Sequence, residues 1–179
     1  MRALKKYPRE VQVSDGNAAD FGDTEVVFSP AVPHGYNDEL GYVVMVRVAQ
    51  GGETFLHTSD VLGPPLKEQL SFILDSDPTV LYADGPMTHM PENYPQEMTK
   101  RSIANLTRIL RTTGIRTLIV DHHALRDREW RERLAPVLEA GEAQRRAGPH
   151  RRGVRREGGG AARGEPGHSV RPRWHERGP

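Results

Sequence analysis

The chain contains no cysteine. Disulfide staples and thiolate metal sites are therefore excluded, and any metal has to be held by imidazole and carboxylate. No run approaches the roughly eighteen apolar residues that a membrane span needs. The start, Met1-Arg-Ala-Leu-Lys-Lys-Tyr-Pro8, also lacks the apolar stretch of a signal segment. A cytoplasmic protein with no membrane partner is the expectation. A dominant charge is missing too, the formal net charge being +1. That balance hides two unlike parts: residues 1–140 hold 15 Lys or Arg against 20 Asp or Glu, while 141–179 hold 10 Arg against 4 Glu and no Lys. Net charge therefore identifies no partner. At 179 residues the chain allows one domain with a sizeable core, provided most of it folds.

From Gly141 onward large apolar residues almost vanish, leaving Val154, Val170 and Trp174. Such a composition buries too little surface to offset chain entropy, which predicts a disordered tail over 141–179 behind a folded part over 1–140. Arg, Gly, Ala and Pro without lysine are what GC-rich codons give when translated out of frame. An Arg-rich nucleic-acid-binding tail and an inert linker are the alternatives.

What is present before that point is punctuated apolar runs. Val11–Val13 and Thr24–Phe28 are expected strands around a turn at Ser14–Asn17. Leu40–Val48 is apolar at nearly every position and is expected to be one strand buried on both faces. Gln50-Gly-Gly-Glu53 turns it into a strand over Thr54–His57. Leu66, Leu70, Ile73 and Leu74 fall on one helical face, Thr79–Asp84 is the next strand, and Ile103, Leu106, Ile109 and Leu110 mark a helix over about 97–113 ending at Gly114. A strand over Ile115–Val120 and a helix over 126–139, disturbed by Pro136, complete an α/β pattern with hairpins first and β-α-β-α later.

Three of these strand ends deliver chemistry. Pro33-His34-Gly35 follows the Val26–Phe28 run, His57-Thr-Ser-Asp60 follows the Thr54 strand, and Asp121-His122-His123 ends the Ile115 strand. Neighbouring strand ends converge on one sheet edge in α/β folds, where ligand and metal sites collect. Alone, each residue is an ordinary loop polar group. Together, His34, Asp60 and His122 form a nitrogen–oxygen set suited to zinc, with Asp60 the candidate catalytic carboxylate bridging two ions.

These segments, with Leu40-Gly-Tyr-Val-Val44, Leu62-Gly-Pro64, Asp84-Gly-Pro86 and Trp130-Arg-Glu-Arg133, resemble the later metal motifs of the metallo-β-lactamase-fold hydrolases. More narrowly they resemble a largely archaeal branch of predicted hydrolases, over about residues 5–138. The resemblance implies an αββα sandwich binding one or two zinc ions, and a bridging water that attacks an ester, amide or phosphodiester. It implies His34 as the third-motif histidine, Asp60 as the bridging aspartate and His122, taken over His123, as the final one. His57 is expected to orient Asp60 or a ligand, or simply to pack in its strand; Asp84 is expected to cap a turn.

The departure from the family is the missing His-x-His-x-Asp-His, which supplies most ligands and belongs to the N-terminal half of that sandwich. The chain thus reads as a C-terminal half, with weak metal binding and little turnover expected. A non-catalytic interaction module is the alternative, pairing with a separate N-terminal half-domain or binding nucleic acid through the basic tail.

Overall fold

A computed structural model describes residues 11–148 and the backbone of 173–176. Its strands are β1 (Asn17–Phe21), β2 (Thr24–Phe28), β3 (Val32–Pro33), β4 (Tyr42–Val43), β5 (Val46–Gln50), β6 (Glu53–His57), β7 (Val80–Ala83), β8 (Thr117–Val120) and β9 (Arg173–Glu176). Its helices are α1 (Lys67–Ser76), α2 (Gln96–Thr112), α3 (His122–Leu125), α4 (Trp130–Arg133) and α5 (Ala135–Ala147). The architecture is mixed α/β. One sheet runs β8-β7-β6-β5-β2-β1-β9, and β3 pairs with β4 in a separate two-stranded ladder. Pairs β6–β7 and β7–β8 are parallel; the other pairs are antiparallel.

The order follows from connection chemistry. Gly51 and Gly52 adopt φ of +58° and +85°, the left-handed pair a two-residue hairpin requires, so β5 and β6 are antiparallel. β6-α1-β7 and β7-α2-β8 are crossovers through a helix, which parallel neighbours need. Register aligns Leu56, Leu81 and Leu118 on one face. That face packs with Ile73, Leu106, Ile109 and Val137 in a single core. Both crossover helices therefore lie on the same side, and the polar ends of β6 and β8 come out at one edge of the sheet.

Several expectations are corrected. Leu40–Val48 is not one strand: the chain makes β4 against β3, passes the buried Met45, and enters the large sheet as β5. Nor is it buried on both faces, since Tyr42 is 61% exposed. Residues 11–13 are not a strand, while Asn17–Phe21, expected to start in a turn, is β1. Pro136 kinks nothing, because it lies in the first turn of α5, where its missing N–H has no partner to lose. That helix runs through Gly141 to Ala147, and 173–176 pair with β1. The rest of the expected tail, 149–172 and 177–179, lies outside the described residues. Among the described residues no helix is long and apolar enough to cross a membrane.

Candidate metal centre

Each arm of the site is held by a buried polar group. His34 follows β3, and its N–H donates to Gly41 O (2.9 Å), closing the loop that β3 and β4 flank. The fully buried Gln69 of α1 donates from Nε2 to Pro33 O (3.0 Å) and Gly35 O (2.8 Å), while its Oε1 accepts the Leu66 N–H (2.9 Å). One amide thus clamps the backbone on both sides of His34. The Gln stands three residues after Leu66, inside the apolar stripe of its helix, and that misfit was the available signal for it.

Asp60 lies in the tight segment after β6. Ser59 and Leu62 adopt φ of +58°, and Gly63 φ of +74°. Such a backbone is strained for a side-chain-bearing residue and persists only under outside support. Asp84 gives that support: its carboxylate, 4% exposed, accepts the N–H groups of Leu62 and Gly63. It caps the Leu62–Gly63 turn and not, as expected, the turn before Gly85-Pro86. Burial pushes the Asp84 carboxyl up to about 7. From α2, Ser102 Oγ donates to Leu62 O (3.1 Å) and Asn105 Nδ2 to Pro64 O (2.8 Å). His57 does not reach Asp60 through any bond; its Nδ1 accepts the Ser59 N–H (2.9 Å) and its ring stacks on Tyr82 at 4.9 Å. It fixes the start of the turn that carries Asp60.

β8 delivers the third arm. Asp121 follows it as the cap residue of α3, whose first turn carries both histidines. Successive residues on a helix point about 100° apart, so only one can face inward. The His123 N–H donates to Asp84 O (3.0 Å), its side chain is 7% exposed, and both ring nitrogens are buried with no hydrogen-bond partner. Burial, with help from neighbouring His122, pushes its pKa down to about 4. It is neutral near pH 7, the form that ligates metals.

Ligand atoms of His34, Asp60 and His123 all lie within 4.8 Å of one another. His122, expected in that set, is beside it. Its Nδ1 is 3.1 Å from Asp121 Oδ2, its Nε2 is 3.4 Å from Asp60 Oδ1, and its ring lies 4.1 Å from that of His123. Hydrogen bonds first from His122 and then from Tyr82 hold the Asp121 carboxyl below its ordinary range. The cluster fits a cation. Two imidazoles and a carboxylate are the donors zinc accepts, and His123 has buried nitrogens that a cation would satisfy, since buried polar atoms are otherwise paired.

A UPF0282 protein of Korarchaeum cryptofilum is 45% identical over 132 residues, covering 73% of this chain and 44% of the relative. One from Saccharolobus solfataricus is 38% identical over 138 residues (76% and 44%), and one from Metallosphaera sedula 37% over 140 (78% and 45%). The homologues of this chain are archaeal UPF0282 proteins. The chain spans less than half the length of these UPF0282 relatives. No family model and no solved structure matches it.

Proposed function

We propose that this chain is part of a metal-dependent hydrolase of the metallo-β-lactamase type, in which His34, Asp60 and His123 hold one divalent ion, zinc by the nature of the donors. The observation that carries the reading is the convergence of those donors from three separate segments, around a histidine whose two ring nitrogens are buried and unpartnered. A bound ion of this kind lowers the pKa of a water to about 7 and supplies a nucleophile for an ester, amide or phosphodiester.

The chain's own groups do the rest. His34 and His123 offer ring nitrogens, and Asp60 a carboxylate oxygen. His122 sets its Nδ1 against Asp121 and turns Nε2 toward Asp60, within reach of the reacting position. Three donors are too few for two tightly held ions, so the partner that completes the centre is a second half-domain. A non-catalytic interaction role is the second reading, favoured by the exposed Phe55 and Ile119 on the sheet face away from the helices; a nucleic-acid role for the tail rests on residues outside those described.

Calorimetric titration of the metal-free chain with zinc tests the proposal. It predicts one weakly held equivalent that His123→Ala and His34→Ala abolish, with no measurable phosphodiesterase activity. Two tightly bound equivalents would contradict the half-site, and absence of zinc binding would remove the metal.

A further inference from the structure

We propose that the cleft between α2 and the start of α5 binds a nucleic-acid strand by its phosphodiester backbone, through Lys100, Arg108 and Arg111. The cleft lies in the helical layer and uses none of the metal donors.

Helix geometry brings these side chains together. Residues 100, 104, 108 and 111 recur at steps of four, four and three, which makes one stripe along α2 (Gln96–Thr112). Leu106, Ile109 and Leu110 of the same helix are buried in the core, so the stripe turns away from the sheet. It faces Arg133 of α4 and Pro136 of α5 across a cleft of about 630 Å³, to which Ile103 and Ala104 add apolar lining. A second recess of about 220 Å³ shares Lys100 and Arg133 and carries the track past Gln96 and Thr99 to Met87 and Thr88.

The charge in this cleft runs against the rest of the domain. Residues 1–140 hold 15 basic against 20 acidic side chains, yet no carboxylate lines either recess. Lys100, Arg108 and Arg111 are exposed and have no ion-pair partner among the described residues. The nearby acidic groups are engaged elsewhere: Glu97 lies 3.8 Å from Arg101, and Asp127 and Glu129 lie 3.4 and 3.0 Å from Arg133. Arg133 therefore shapes the far wall and adds no free charge. A helix C-terminus attracts cations, which accounts for Arg111 but not for Lys100 near the opposite end. Three unpaired cations in one cleft make a local positive field whose complement is an anion.

Their spread selects the kind of anion. Lys100 and Arg111 stand eleven residues apart, about 16 Å along the helix axis. A compact anion meets one of them at a time, whereas a polymer with closely repeated charge meets all three. A nucleic-acid strand is such a polymer, with a phosphate about every 3.4 Å of duplex axis. No aromatic side chain lines either recess, so no base stacks there, and recognition is of the backbone without regard to sequence.

Fluorescence anisotropy of a labelled oligothymidylate with the full 179-residue chain tests this. Glutamine matches lysine and arginine in helix propensity, so Lys100→Gln/Arg108→Gln/Arg111→Gln removes charge and keeps α2. Each neutralised phosphate contributes about 0.7 to the salt slope of single-strand binding. The triple variant should therefore flatten that slope by about 2 and lose about 100-fold in affinity near 0.1 M salt. Each single substitution should flatten it by about 0.7, which frees the test from the folding of the triple. Lys67→Gln/Arg116→Gln/Arg128→Gln, the same charge change outside the cleft, should alter neither quantity. The Arg-rich segment after residue 141 is present in every variant, so the differences report the cleft. His123→Ala should bind the oligonucleotide as the parent does, which separates this site from the metal reading. An unchanged slope in the cleft variants, or an equal loss in the control triple, overturns the proposal. Polyglutamate that displaces the oligonucleotide as well as unlabelled oligothymidylate does would make acidic polypeptide the occupant and overturn it too.

Discussion

At the scale of single residues, two adjacent histidines carry different work. Removing a group that only orients a metal ligand costs about 10–100-fold in affinity. His122→Ala should fall within that range for zinc and His123→Ala should exceed it, as read by competition with a chelating dye; equal losses would mean both ligate. Chain order could not separate them. Both follow the strand end, and only the direction of the α3 turn, fixed by the His123 N–H on Asp84 O, decides which ring is buried. Asp84 and His123 also make a pH prediction for the metal-free chain. Asp84 is raised from 3.8 to about 7, so its contribution to stability is complete below 3.8 and is lost as pH rises to about 7. His123 is lowered from 6.5 to about 4, so its contribution is complete above 6.5 and is lost as pH falls toward 4. The slopes oppose each other and cancel between about 4 and 6.5. Asp84→Asn removes one of them. Its urea midpoints should then rise with pH across that window, by a slope of up to about 1.4 kcal/mol per pH unit; a flat profile in the variant would count against the burial of neutral His123.

Elements fail or hold through a few positions. Gly63, at φ +74°, would bring an added Cβ to 2.6 Å from Pro86 N. Neighbouring backbone cannot move aside cheaply, so Gly63→Ala should destabilise by about 2 kcal/mol or more, as a drop in the denaturant midpoint. Loss of less than half of that would mean the loop relaxes. Gln69→Leu keeps the volume and removes the clamp on residues 33–35; it should weaken zinc binding through His34 more than it lowers stability. Leu106, fully buried in α2, supplies the packing control: Leu106→Ala should cost about 2–5 kcal/mol. At this scale much was legible. Gly51-Gly52, the stripe of α2 and the stop at Gly114 announce their elements. β1 was missed because four of the five residues of Asn17-Ala-Ala-Asp-Phe21 disfavour strands, and only pairing with β2 and β9 makes it one. The break between β4 and β5 was hidden because an apolar run does not reveal a strand changing sheets.

Among the described residues, helices pack on one face of the sheet, and a cluster of metal-ligand types sits at its edge. His34 and Asp60 were legible because each follows an apolar run closed by Gly or Pro, and their meeting follows from the strand order. Gln69 and His123 were not, since their roles depend on which way a helix turns over the sheet. Zinc-edge anomalous diffraction from crystals of the zinc-loaded chain tests the central claim most directly. A single peak is predicted at about 2.0–2.2 Å from one ring nitrogen each of His34 and His123 and from an Asp60 oxygen. A peak on His122 without His123, or the only peak elsewhere on the molecule, would contradict it.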